Sequence, residues 1–198
     1  NKFSKYILEL NREIILGGKR MEDRLKQGLV QVYTGGGKGK TTAALGLGLR
    51  ASGHGFKVEM IQFLKGTGYT GELKAVKQLS NFKISQFGKK CPYAEKIEAG
   101  EMECIACGEC FVDDDNQKQH QKFIRSAYNY SKEVLNSGEI DIIILDEINN
   151  ALRYNFLTIE DVLNLINLKT SLTELVLTGR GLPEEILKEA DLVTEMKN

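Results

Sequence analysis

The chain has 198 residues, 41% hydrophobic and 27% charged, with two prolines and no tryptophan, which suits one globular domain with a sizeable core and argues against a second full domain. Lys plus Arg and Asp plus Glu both number 27, so there is no basic excess to draw in nucleic acid or an anionic membrane by bulk charge. No apolar run nears the roughly 20 residues that span a bilayer, and no signal-like leader is present, so the expectation is a cytoplasmic protein without nucleic-acid or membrane partners.

In chain order, residues 1–20 precede Met21 and a second, typical-looking start. Gly17-Gly18-Lys19-Arg20-Met21 back-translates as GGA-GGU-AAA-AGA-AUG, a purine-rich ribosome-binding sequence ahead of a start codon, so Met21 is read as the first native residue. The alternative is an amphipathic N-terminal helix, because Phe3, Tyr6, Ile7, Leu10 and Ile14 recur at helical spacing. Residues 21–198 are then one nucleotide-binding domain.

From Leu29 to Thr34 the pattern is a strand; Gly35 to Gly39 is a glycine loop, and Lys40 to Ala51 a helix. Further strands are expected at Lys57–Phe63, Phe82–Gln86, Asp141–Leu145, Leu172–Leu177 and Leu192–Thr194. Helices are expected at Gly71–Leu79, Gln117–Leu135, in the stretch up to Leu168, and from Pro183 to Ala190. Apolar strands separated by helices predict an α/β fold, a mainly parallel sheet with helices on both faces. Residues 89–116 break this alternation, carry little periodicity, and read as an insertion at a strand-to-helix connection.

Thr34-Gly35-Gly36-Gly37-Lys38-Gly39-Lys40-Thr41 sits between a strand and a helix, the context that a Walker A motif requires, with Thr34 in place of the usual first glycine. Successive N–H groups at a helix start suit phosphate; Lys40, expected to be exposed there, supplies charge, and Thr41 a hydroxyl for Mg²⁺. Gly35, Gly36, Gly37, Lys38, Gly39, Lys40, Thr41 and Thr42 are the candidate ATP-binding residues. Ile142-Ile143-Ile144-Leu145-Asp146-Glu147 is an apolar strand ending in two carboxylates, the pattern that delivers acids to Mg²⁺.

Val32 to Ala44 followed by Arg50-Ala51-Ser52-Gly53-His54-Gly55 resembles the opening of the ATP:corrinoid adenosyltransferases, including the threonine in the loop. Gln62-Phe63-Leu64-Lys65-Gly66, Leu145-Asp146-Glu147 and Leu177-Thr178-Gly179-Arg180-Gly181 resemble that family too. The resemblance implies a RecA-like P-loop fold and transfer of the 5′-deoxyadenosyl group of ATP to the Co(I) of a corrinoid, with triphosphate leaving. It implies catalytic roles for Lys40, Thr41 and Glu147, metal ligation by Thr41, Asp146 and Glu147, Arg50 near the phosphates, and Arg180 on phosphate or corrinoid. In that family an aromatic pair including a tryptophan helps to remove cobalt's lower ligand; Phe87 and Tyr93 are the substitutes here. A homodimer and an electron-donating flavoprotein or ferredoxin join the corrinoid as candidate partners. Two other functions stay open: a P-loop ATPase or kinase, and a nucleotide-gated metal or redox regulator.

Cys91, Cys104, Cys107 and Cys110 follow C-x12-C-x2-C-x2-C, with Pro92 after the remote cysteine. In a reducing compartment this set points to a metal or redox role: a [4Fe–4S] cluster that relays an electron toward cobalt, or a structural Zn²⁺ staple, with bare thiols or a disulfide as further readings. His120, set among Gln and Lys, reads as solvated surface, as do Asp113, Asp114 and Asp115 at a helix start.

Overall fold

The computed structural model describes residues 25–66, 70–105, 107 and 117–198. Residues 1–20, Cys110 and Asp113 to Asp115 lie outside them.

Six strands form one sheet: β1 (Val30–Thr34), β2 (Val58–Phe63), β3 (Phe82–Phe87), β4 (Ile142–Asp146), β5 (Glu174–Thr178) and β6 (Leu192–Glu195), in the order β3-β2-β4-β5-β1-β6. Every registered pair is parallel. Strands β2, β4 and β5 are buried along their whole length, as a sheet covered on both faces demands; β4 is a continuous apolar run up to Asp146, while β2 carries the buried Glu59 and Gln62 and β5 begins at Glu174.

Strand periodicity sorts their side chains into two cores. Ile61, Phe63, Ile143, Leu145, Leu175 and Leu177 face one way, toward α4 (Gln117–Ser137), α6 (Ile159–Leu168) and α7 (Glu184–Lys188). Val58, Met60, Ile142, Ile144 and Val176 face the other, toward α1 (Lys40–Gly53) and α2 (Gly71–Val76). Helix α1 lies close because its inner face is small: a Cβ on Gly48 would come within 2.7 Å of the Phe82 ring. The helical stretch before Leu168 divides into α5 (Ile148–Arg153) and α6, and α6 starts at a capping box. There Asp161 N donates to Thr158 Oγ1 at 3.1 Å while Thr158 N donates to Asp161 Oδ2 at 2.9 Å.

The α/β fold expected from sequence is what the chain forms, a RecA-like P-loop arrangement with β5 between the glycine-loop strand β1 and the acid-bearing strand β4. Helix α3 (Ala94–Glu98), inside the segment read as aperiodic, was not expected. Its five residues are too few to display a period. Among the described residues no helix is long and apolar enough to cross a membrane.

A polar cluster closes the amino end of β5. Leu29 N donates to Glu174 Oε2 at 2.6 Å, Gln31 Nε2 donates to Oε1, and Tyr33 Oη donates to Gln31 Oε1 at 2.9 Å. Burial holds the Glu174 carboxyl above its usual 4.5, the two hydrogen bonds and Lys169 only partly offsetting it. A carboxyl raised in the folded state binds its proton more tightly there than in the unfolded chain. Its contribution is therefore most favourable below the unfolded pKa and is lost as pH rises through the folded one. Glu174→Gln keeps the shape and removes the titration. Thermal melts from about pH 4 to pH 8 should show the variant gaining on the parent as pH rises; a constant gap would remove Glu174 as the source.

Candidate active site

The carboxyl edge of the sheet gathers the chemistry. Gly39 adopts φ 109° immediately before α1, and Gly35 adopts φ 98°, so the loop turns twice through left-handed backbone that glycine alone enters cheaply. Lys40 corrects the expectation of an exposed helix start: it is 5% exposed, because its ammonium turns back beneath the loop to donate to Gly35 O at 2.7 Å and Gly37 O at 2.8 Å.

The loop is held from behind by the chain that continues β6. Met196 N donates to Thr34 O at 2.9 Å, and Gly37 N donates to Met196 O at 2.7 Å. A Cβ at Gly35 would lie 2.4 Å from Met196 O, and one at Gly37 would lie 2.5 Å from Lys197 O. At Gly36 the nearest atom would be an Asn198 side-chain nitrogen at 3.5 Å. Of the backbone donors expected to face phosphate from Gly36 to Thr41, that of Gly37 is thus engaged by Met196.

Asp146 ends β4 with no solvent exposure, and its carboxylate accepts from four side chains. Oδ1 takes Thr41 Oγ1 at 2.9 Å and Thr178 Oγ1 at 2.7 Å; Oδ2 takes Gln62 Nε2 at 3.0 Å and Lys65 Nζ at 2.7 Å. These four donors occupy both oxygens of Asp146, and the Thr41 hydroxyl spends its proton on Oδ1. Glu147, half-buried, is the acid left facing the cleft. It adopts φ 60°, its N–H donates to Thr178 Oγ1 at 2.9 Å, and burial followed by the Asp146 charge raises its carboxyl, with Lys65, Lys40 and Arg180 opposing. Left-handed backbone at a non-glycine residue is a local cost of the kind that clusters at functional sites.

The cleft is lined by Gly37, Lys38, Gly39, Lys40, Thr41, Thr42, Glu147 and Arg180. Arg180 is placed there by a close contact between α5 and the turn after β5: Asn149 Nδ2 donates to Arg180 O, and a Cβ on Gly179 would lie 2.3 Å from Asn149 Cβ. Arg50 is not brought to the phosphates. It occupies the last turn of α1, exposed, ten residues beyond Lys40 and hence about 15 Å along the helix axis.

Phe87 is half-buried with its ring 5.4 Å from that of Tyr130, whereas Tyr93 is 38% exposed. His120 corrects the solvated-surface reading. It is 7% exposed, packs against the Tyr154 and Phe156 rings, and has neither ring nitrogen hydrogen-bonded. The cause is its place on the inner stripe of α4 with Ile124, Ala127, Tyr128, Ser131 and Leu135, a spacing present in the sequence. Cys91 is buried and Cys104 and Cys107 are exposed. Among the described residues no three His, Cys, Asp or Glu side chains form a ligand set. Sequence reasoning assigned no site role to Lys65, Gln62, Thr178 or Met196. A signal was present for three of them: Gln62 and Lys65 share one segment that resembles the adenosyltransferases, and Thr178 lies in another.

Residues 26–198 match the family model of the ATP:corrinoid adenosyltransferases BtuR/CobO/CobP. The chain belongs to this family. It is 32% identical over 172 residues to the corrinoid adenosyltransferase of Escherichia coli strain K12, a match covering 87% of this chain and 78% of that protein. It is 32% identical over 188 residues to a corrinoid adenosyltransferase of Sinorhizobium sp, covering 94% and 78% respectively. The solved flagellar accessory protein FlaH from Methanocaldococcus jannaschii aligns with a TM-score of 0.46 at 16% identity, covering 86% of this chain and 72% of that one.

Within this family frame the glycines of the loop separate by cause. Gly37→Ala should lower both the melting temperature and ATP affinity, because its Cβ has no room beside Lys197, while Gly36→Ala should leave both near the parent values. Equal losses, read by thermal melts and calorimetric titration, would mean that the segment behind the loop does not set its shape.

Proposed function

We propose that the cleft binds the triphosphate of Mg·ATP and that the chain transfers the 5′-deoxyadenosyl group to the Co(I) of a corrinoid substrate. Family membership supports the reaction, and one observation supports the residue roles: Thr41 is hydrogen-bonded inward to a fully engaged Asp146, beside Glu147, Lys40 and Arg180. The Co–C5′ bond forms with an electron pair from cobalt, and the C5′–O bond breaks with its pair leaving on triphosphate. Charge accumulates on the leaving group, so donors and cations around the phosphates are the groups that lower the barrier. Lys40, Lys38 and Arg180 supply positive charge, and the N–H groups at the start of α1 supply directed dipoles. An all-oxygen pair from Thr41 and Glu147 fits a hard cation, and Mg²⁺ held there would add neutralisation of the departing triphosphate.

Tyr93, exposed after β3, and Phe87, half-buried against Tyr130, are the aromatics proposed to meet the corrinoid. A metal at Cys91, Cys104, Cys107 and Cys110, iron–sulfur or zinc, is supported by their spacing. The one-electron supply for Co(I) falls to a donor of the flavoprotein or ferredoxin class, in the cytoplasm. Self-association as a homodimer is read by sedimentation.

Four measurements test these readings. Purified protein with Mg²⁺, ATP and chemically reduced cobalamin should yield triphosphate and an adenosylated corrinoid. ADP would favour a kinase or ATPase, and unchanged ATP a regulator. Lys40→Ala should abolish product and also reduce stability by about 1–3 kcal/mol, since two buried loop carbonyls lose a charged donor. Glu147→Gln should raise the Mg²⁺ requirement by about tenfold or more, against no change for Glu160→Gln on an exposed face of α6. Protein purified without oxygen decides the cysteine question by its visible absorption and by its iron and zinc content.

A further inference from the structure

We infer that Lys65 is a positioning residue for the transfer: its ammonium fixes the Asp146 carboxylate so that the Thr41 hydroxyl keeps its proton turned inward. The inference rests on the Mg·ATP reading above. Lys65 supplies the one ion pair of Asp146 among the described residues, at 2.7 Å, and its own side chain is 35% exposed while that of Asp146 is wholly buried.

The carboxylate is held asymmetrically. Its Oδ1 meets two hydroxyls, and its Oδ2 meets an amide and an ammonium. The amide is itself fixed, because Gln86 Nε2 donates to Gln62 Oε1 at 2.8 Å and so leaves Gln62 Nε2 for Asp146. Lys65 is therefore the charged anchor on one side of a group whose other side orients Thr41. Loss of that anchor leaves a buried carboxylate with no countercharge, held only by the neutral donors Gln62, Thr178 and Thr41, so that the acceptor of the Thr41 hydroxyl is less firmly fixed.

The turn that carries Lys65 is constrained at two points. Leu64 adopts φ 55°, left-handed for a residue with a side chain, and swings the chain back over the end of β2. Gly88, directly after β3, lies so close that a Cβ would come within 2.3 Å of the Lys65 carbonyl carbon. The Leu64 side chain packs against the edge of one core. Both constraints hold the backbone of Lys65 beside the acids.

The test compares ATP binding with and without Mg²⁺, by titration calorimetry, in the wild type, Lys65→Met, Lys65→Arg, Asp146→Asn and the Asp146→Asn/Lys65→Met double variant. Lys65→Met should weaken Mg·ATP binding about 10–100-fold, the usual loss when the partner of a metal-site group is removed. It should leave Mg-free ATP within about twofold of wild type, and should add no more than that in the Asp146→Asn background. Lys65→Arg should recover most of the loss. If Lys65→Met weakens ATP equally with and without Mg²⁺, or costs the same factor in the Asp146→Asn background, Lys65 touches the nucleotide directly and the positioning role is overturned. Should Lys65→Met fail to fold by circular dichroism, Lys65→Gln carries the same comparison. Formation of adenosylated corrinoid by the wild type reports separately on the reaction, so a failure there is distinguishable from a failure of the Lys65 coupling.

Discussion

The hydrogen bonding of Asp146 is the constraint around which the functional edge is built. A carboxylate without solvent exposure is expensive unless each oxygen is met by donors, and here the donors come from β2, the turn after it, the first turn of α1, and β5. Its position in the sheet makes this feasible, since Gln62 is in direct register with Asp146 and Gln86 with Gln62. A polar row thus crosses the carboxyl ends of three adjacent strands. Thr178 fills the space that β5 opens between the loop strand and the acid strand, about 10 Å apart by ordinary strand spacing. One buried charge therefore fixes the relation between the helix that starts the phosphate loop and the strand that carries Glu147.

The loop itself is shaped from the opposite side. Its glycines are usually credited to phosphate approach, yet Gly35 and Gly37 meet the backbone of Met196 and Lys197, and Lys40 fills the inside of the turn. A loop whose shape is already set from behind needs little rearrangement when charge develops, the condition under which directed dipoles are most effective, although the Gly37 N–H itself is spent on Met196.

The layout of the sheet was legible because parallel, doubly covered strands are plain apolar runs, and all six were located to within a residue or two. The loop and both acids were legible as motifs in the right context. Periodicity, however, reports which face a residue takes and says nothing of its distance from a site. Arg50 and Lys40 share a helix, yet its length carries Arg50 away from the cleft. Lys40 bends under the loop because two carbonyls happen to converge there, a tertiary fact with no local signature. His120 differs: its helical spacing from Ile124 and Ala127 marked an inward face, and its polar neighbours in sequence concealed it. Lys65 stood in a segment that resembles the family, but a role for it was illegible because its position depends on a left-handed leucine and on the glycine that follows β3.

The functional edge also carries the chain's unfavourable terms. Glu147 combines left-handed backbone, partial desolvation and an adjacent like charge, and Leu64 repeats the backbone cost one strand away. The Leu64 side chain packs against one core, whereas Glu147 faces the cleft. These terms persist because the two buried clusters on either face hold the strand ends rigidly enough to impose them. A replacement that relaxes Glu147 should stabilise the fold while weakening the site, the expected direction wherever activity depends on a strained, poorly solvated acid. The same logic explains why positive charge is concentrated in a chain of zero net charge. Lys38, Lys40, Lys65 and Arg180 surround two carboxylates at one edge, so an anionic leaving group meets local cations without the protein becoming a general polyanion binder.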